Sequence, residues 1–228
     1  MRKSSRPSIV AIGAVWLAFL LCPARAYAAE PATVTFTLDF PGSDPEHYSV
    51  LVSADGHALY ECSAKTLNSD ERVAYRFEFD FSADNRARIF DLAAQAHYFT
   101  GKIDSGNRKL AFTGAKKLIY RDGQRVNTAD FNYSTMPAVQ QLTALFQNVA
   151  NTMEFGRRLA DYHRYQKLAL DEELKRMESQ ARDNLLGELH AVQPVLQQIV
   201  DDPSVINVVR ARAQRLMEMG KSAASASR

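Results

Sequence analysis

Residues 54 to 62 read ADGHALYEC and place Asp55, His57 and Cys62 within nine positions. A thiol nucleophile needs a neighbouring base and a third group to orient that base. The stretch also carries Asp55-Gly56, a strong signal for a tight hairpin turn. If 57–62 is a strand, His57 and Cys62 are an odd number of residues apart and their side chains point to opposite faces. No nucleophile motif surrounds the cysteine. The hairpin is the better reading, with Cys62 as a small core residue.

The other histidines, His47, His97, His163 and His190, form no His-x-x-x-His pair, and no cysteine cluster accompanies them. Closely spaced ligand pairs are the legible mark of a zinc site. We therefore expect no metal, no cofactor and no assigned catalytic residue. Asp55, His57 and His97 remain an alternative polar site if folding gathers them. A second candidate is basic: Lys102, Arg108, Lys109, Lys116, Lys117, Arg121 and Arg125 stand against only Asp104 and Asp122 over the same stretch. On alternating strands many of them would share a solvent face, as an anion-binding patch or simply as protection for exposed strands. The chain has no phosphate-cradling glycine loop, serine elbow or dinucleotide fingerprint.

The elements that must position these residues divide into two halves. TVTFTLDF, from Thr33, alternates with period two and reads as a half-buried strand. HYSVLVS and HALYEC flank the Asp55-Gly56 turn. VAYRFEFDF sets Tyr75, Phe77, Phe79 and Phe81 on one face. Residues 83–98 follow as an amphipathic helix, capped by Ser82 and ending near Gly101, with small alanines at 93, 94 and 96 suited to packing on that aromatic face. Strands resume with RKLAFTG and with KKLIYRDGQRVNTADFNYS, where Asp122-Gly123 repeats the hairpin signal. Residues 29–136 thus read as an α+β arrangement, an antiparallel sheet of about five to seven strands with one packed helix.

After Pro137 the apolar spacing changes to three and four. Val139, Leu142, Phe146, Val149 and Met153 make one helical stripe, and Leu174, Met177, Ala181 and Leu185 a second behind the acidic Asp171-Glu172-Glu173. Residues 162–170 read as either a turn or continuous helix. Pro194 starts or kinks a short helix, and Asp202-Pro203 caps a last one lined by Val205, Val208, Val209, Arg212, Ala213 and Leu216. This helical region spans 137–219, and the small polar residues 220–228 read as a disordered tail.

The N-terminus supplies the cellular context. Arg2, Lys3 and Arg6 precede an apolar run from Ile9 to Leu21, and small residues at Ala26 and Ala28 follow. That is a secretory signal over residues 1–28, too short in its apolar part to span a bilayer. Leu21 before Cys22 argues against lipidation. Of the 28 basic and 26 acidic side chains, four basic and no acidic ones lie in 1–28, so the processed chain has 24 against 26. The positive balance disappears with the leader, leaving no general attraction to nucleic acid. Cys62 is then the only cysteine, so an intrachain disulfide is impossible.

HYSVLVSADGHALYE, RARIFDLAAQAHYFTGKID, LAFTGAKKLIYRDG and QQLTALFQNVANTMEFGRRL resemble an uncharacterised family of exported bacterial proteins of the acidobacterial type. The resemblance implies export and the architecture above, and carries no catalytic residues to transfer. Residues 188–219, helix then Asp-Pro turn then helix, resemble one HEAT-type unit. The chain is therefore expected to be a periplasmic or secreted interaction or envelope-associated protein. Its expected partner is an envelope protein or a second copy, and it has no transmembrane segment once processed. The alternatives are a small-molecule-binding domain or hydrolase with a pocket between the sheet and helix 83–98, and a protein held by an uncleaved signal anchor.

Overall fold

The computed structural model describes residues 30–226 except 68 and 108. Six strands, β1 Thr33–Asp39, β2 His47–Ser53, β3 His57–Thr66, β4 Ser69–Asp80, β5 Ala115–Asp122 and β6 Arg125–Phe131, form one sheet in the order β4-β3-β2-β1-β5-β6. Every neighbouring pair is antiparallel. Five helices, α1 Ala83–Gln95, α2 Pro137–Tyr165, α3 Leu170–Arg182, α4 Gln193–Asp201 and α5 Asn207–Ala226, complete an α+β fold. The proposed leader, residues 1–28, lies outside the described residues. Among those described, no helix is long and apolar enough to cross a membrane.

Alternation builds the sheet as read. Val34, Phe36, Val50, Val52, Ala58, Tyr60, Cys62, Leu118 and Tyr120 face the helices and are buried, while Thr35, Leu51, Leu59 and Ile119 on the opposite face stay partly accessible. Gly56 occupies the Asp55-Gly56 turn at a φ of +105°, and a Cβ there would lie 2.6 Å from the Arg86 guanidinium. Both conditions favour glycine.

Two helices reach the sheet: α1, with Ala93 buried in it and Ala96 buried just past its end, and the longer α2. α1 lies against α2 and β1, whereas α2 runs over the sheet and stacks Phe146 on Phe36 with ring centroids 5.5 Å apart and planes 5° apart. Such an aromatic pair adds about 0.5–1.5 kcal/mol beyond its buried area. β4 is an edge strand, so the helical layer reaches only one end of its aromatic face. Phe79 and Phe81 are buried, Tyr75 is half-buried, and Phe77 and Val73 remain 37% and 40% exposed.

Several boundaries also differ. α1 stops at Gln95, because His97, Tyr98 and Phe99 take left-handed backbone values that no α-helix continues. The described residues of RKLAFTG form irregular chain rather than a strand: Asn107 and Asn132 side chains accept the Lys109 and Thr113 amides, bonds that compete with a ladder. Between α2 and α3 the chain turns at Gln166, settling the 162–170 ambiguity in favour of a turn. Asp202 accepts the Ser204 amide, and α5 begins only at Asn207. α5 then continues to Ala226, past Gly220, where a disordered tail was expected. Buried residues from β1 through α5 belong to one hydrophobic cluster.

Candidate functional site

α2 carries the apolar stripe Val139, Leu142, Phe146, Val149 and Met153 onto the sheet, all of it buried. Glu154 follows Phe146 and Ala150 at intervals of four, so the helix delivers a carboxylate to a core position. Its side chain is 8% exposed. On one side, Oε1 accepts the Tyr60 hydroxyl at 2.7 Å and the Cys62 thiol at 3.3 Å, both from β3. On the other, Oε2 accepts the Arg157 guanidinium through Nε at 3.0 Å and Nη2 at 2.8 Å. Arg157 is itself 8% exposed, lies 3.8 Å from both Asp44 and Asp161, and places its guanidinium carbon 5.1 Å over the Tyr75 ring. Its neighbour Arg158 donates to the buried Glu173 of α3 at 2.6 Å.

This arrangement suppresses reactivity. Burial, and then the Glu154 charge, pushes the Cys62 thiol up to about 12. The same two causes raise Tyr60 and Tyr48 above the ordinary phenol range. Burial opposes the Arg157 charge, but hydrogen bonds to Glu154 and its charge hold the guanidinium pKa above its usual value. Thiol and phenol both donate to a carboxylate and stay protonated at neutral pH. The cluster fastens sheet to helix and offers no nucleophile.

Beside it opens a cavity of about 210 Å³ between β3, β4, α2 and α4. Tyr60, Tyr75, Phe77, Met153 and Val195 give it apolar walls, with Arg157, Asp161 and Arg76 toward the polar side. Gly156 sits where α2 comes closest to the 3₁₀ turn Leu189–Val192, and a Cβ there would lie 2.5 Å from Val192. Burial raises the pKa of Asp161, with Arg157 acting in the opposite sense. Arg76 is shared by Glu61 at 2.9 Å and Glu78 at 2.8 Å. The lining is therefore aromatic and aliphatic, with its charges matched internally.

The polar trio Asp55, His57 and His97 is not gathered. Asp55 accepts the His57 amide in the β2–β3 turn, His57 is exposed, and it lies on the opposite face of β3 from buried Cys62. His97 is exposed in a turn packed on β5 and β6, separated from β3 by the two strands β2 and β1. Among the described residues no group of three or more His, Cys, Asp or Glu is placed to hold a metal ion.

The basic stretch does not form a single solvent face. Lys116 is buried on the helical side, where its ammonium donates to the Thr113 hydroxyl at 2.8 Å and the Asn132 carbonyl at 3.0 Å; burial lowers its pKa. Lys117 pairs with Asp130 at 3.4 Å on the other side of β5, and Arg121 is exposed. Arg125 bonds Asp122 and folds over the Tyr98 ring at 4.8 Å. Lys102 and Lys109 lie on the exposed chain before β5, and Arg108 is outside the described residues. Strand alternation itself divides Lys116 from Lys117.

Sequence reasoning passed over Glu154, Arg157 and Asp161. The legible signal was an acidic residue continuing the Phe146–Ala150 interval, followed three residues later by arginine. Glu188 was missed too. Its carboxylate, 1% exposed, accepts the Ser82 amide and hydroxyl and the Asn85 amide, so the start of α1 is capped from 106 residues away instead of by Ser82 itself. No family model and no curated protein matches the chain.

Proposed function

We propose that this chain is an exported binding protein, associated with the cell envelope, whose groove between β4, α2 and α4 receives one aromatic or aliphatic group of a partner molecule. The observation supporting this is the contrast within one site: the ionisable groups are saturated by each other, while Tyr75 and Phe77 stand open beside a cavity of about 210 Å³. Drug-sized ligands occupy pockets of roughly 300–1,000 Å³, so this space suits a group the size of one side chain. Export is motivated by the basic-then-apolar start of the chain, Arg2 to Ala28.

The only tryptophan is Trp16, within the proposed leader. Removal of that segment leaves a protein without indole fluorescence, against which a tryptophan probe is read cleanly. Titrating the processed protein into N-acetyltryptophanamide is expected to give a saturable blue shift. Ala160→Phe fills the groove from an exposed position of α2 and is expected to abolish the shift while leaving the circular dichroism spectrum unchanged. No saturable shift, or an identical one with Ala160→Phe, rejects the proposal.

A further inference from the structure

Among the described residues, β4 has a partner on one side only. It pairs with β3 from His57↔Asp80 to Lys65↔Arg72, and the sheet order ends with it. At 12 residues it is the longest strand, and it contains no proline. Alternate residues along it direct N–H and C=O groups away from β3, which is a template for another strand.

The side chains of this edge are arranged symmetrically about Tyr75. Val73 and Phe77, the two exposed large apolar residues of β4, stand two positions to either side of it on the helical face. Arg72 and Glu78 stand three positions to either side on the open face, where they align with Lys65 and Leu59 of β3. We infer that two copies of the protein pair antiparallel through β4 about a twofold axis at Tyr75, making a continuous twelve-stranded sheet. In that register Val73 of each copy opposes Phe77 of the other, and Arg72 of each opposes Glu78 of the other. Like charges meet only at the fringe, where Asp70 opposes Asp80, and Asp70 already pairs with Lys65.

Other registers give up part of this: an axis at Arg76 sets Arg76 against its own copy, and an axis at Phe77 matches Arg76 with Glu78 and Tyr75 with Phe79 but pairs only residues 74–80, where the axis at Tyr75 pairs 70–80. An axis at Ala74 sets Arg72 against Arg76 and Asp70 against Glu78. An axis at Val73 brings Asp70 to Arg76 but puts Phe77 against Ser69 and Tyr75 against Glu71, whereas the axis at Tyr75 leaves a single aromatic mismatch, Phe79 opposite Glu71. Directly opposed unlike charges and apolar pairs are the units that stabilise a ladder, and opposed like charges destabilise it. Val73 and Phe77 remain 40% and 37% exposed, so the helical layer leaves part of this edge uncovered. A second copy therefore covers this exposed apolar surface. It also extends the wall of the groove, which Tyr75 and Phe77 line. The pairing does not depend on what that groove receives.

Light scattering after size exclusion, on protein purified from expression of the full chain, reads this directly. At about 100 μM the expected mass is twice that of the chain, falling toward one chain on dilution. Arg72→Glu and Glu78→Arg each oppose like charges across the axis, and each is expected to raise the dimer dissociation constant at least tenfold. The double variant Arg72→Glu/Glu78→Arg restores the attraction and is expected to return it to within about threefold of the starting value. The intrachain partners of these residues, Glu46 for Arg72 and Arg76 for Glu78, form solvent-accessible pairs, and unchanged thermal melts show that the fold survives. A monomer at every concentration overturns the inference, as does a dimer indifferent to both single reversals. It is equally overturned if the β4 amides gain exchange protection only when an added extended peptide is present, since a partner's strand and not a second copy then occupies the edge.

Discussion

Glu154→Ala removes the acceptor on which one guanidinium, one phenol and one thiol converge, and its cost follows from what is left behind. The Tyr60 hydroxyl loses a charged acceptor at 2.7 Å, an interaction worth about 1.5–3 kcal/mol. Arg157 keeps the carboxylates of Asp44 and Asp161, each 3.8 Å away, and the Lys65 carbonyl at 3.5 Å. Deleting one member of a buried pair costs about 3–5 kcal/mol, because the surviving charge stays desolvated. The two figures describe overlapping events, so the expected loss is about 3–5 kcal/mol in total. With a urea dependence of about 2 kcal/mol/M, the unfolding midpoint followed by circular dichroism falls by about 2 M. The triple replacement Glu154→Met, Arg157→Met and Tyr60→Phe removes every member of the pair together with the stranded hydroxyl, and is expected to recover most of the loss. If Glu154→Ala costs less than about 1 kcal/mol with an unchanged urea dependence, the cluster is not what joins sheet to helix.

Two further outcomes follow from the same site. Cys62 is buried, with its thiol pushed up to about 12, so an aromatic disulfide reagent at pH 8 should label it only as fast as the protein opens, and at once in denaturant; rapid labelling of folded protein contradicts the burial. Asp161 has its pKa raised by burial, so the folded state binds its proton more tightly than the unfolded state does, and the stability this group contributes is present in acid and lost as pH rises through its folded pKa. Asp161→Asn should therefore gain stability relative to the parent near neutral pH, and that advantage should shrink as pH falls through the raised folded pKa and be gone below the ordinary aspartate value; an advantage that grows in acid refutes the sign.

Much of the fold was legible because periodicity is a local property. The alternation Val34, Phe36, Leu38 needs only the pleat of a strand, and the spacing of Val139, Leu142 and Phe146 needs only the pitch of a helix. Asp55-Gly56 and Asp122-Gly123 marked two hairpins through the backbone preferences of their own residues. What failed depended on partners remote in sequence. Ser82 has the right chemistry to cap α1, but Glu188 arrives from the helical region and takes its hydroxyl as a donor. RKLAFTG has strand-like composition, yet Asn132 draws the Thr113 amide out of any ladder.

The candidate site was barely legible for the same reason. Glu154 and Arg157 look like a helical surface pair at i, i+3, and nothing in TMEFGRR states that this face of α2 meets Tyr60 and Cys62, more than ninety residues earlier. Likewise, the four aromatics of VAYRFEFDF declared a face but not its place in the sheet. By itself the sequence determined most of the strands and helices, the single cysteine after residue 28 and the absence of any nucleophile motif, since these are matters of residue type and local spacing. Only the tertiary structure decided that β4 lies at the edge, that α2 joins α1 on the sheet, and that a carboxylate is buried against a thiol and a phenol. Strand order and helix docking are set by which apolar surfaces cover one another at long range, and residue spacing along the chain carries no record of that choice.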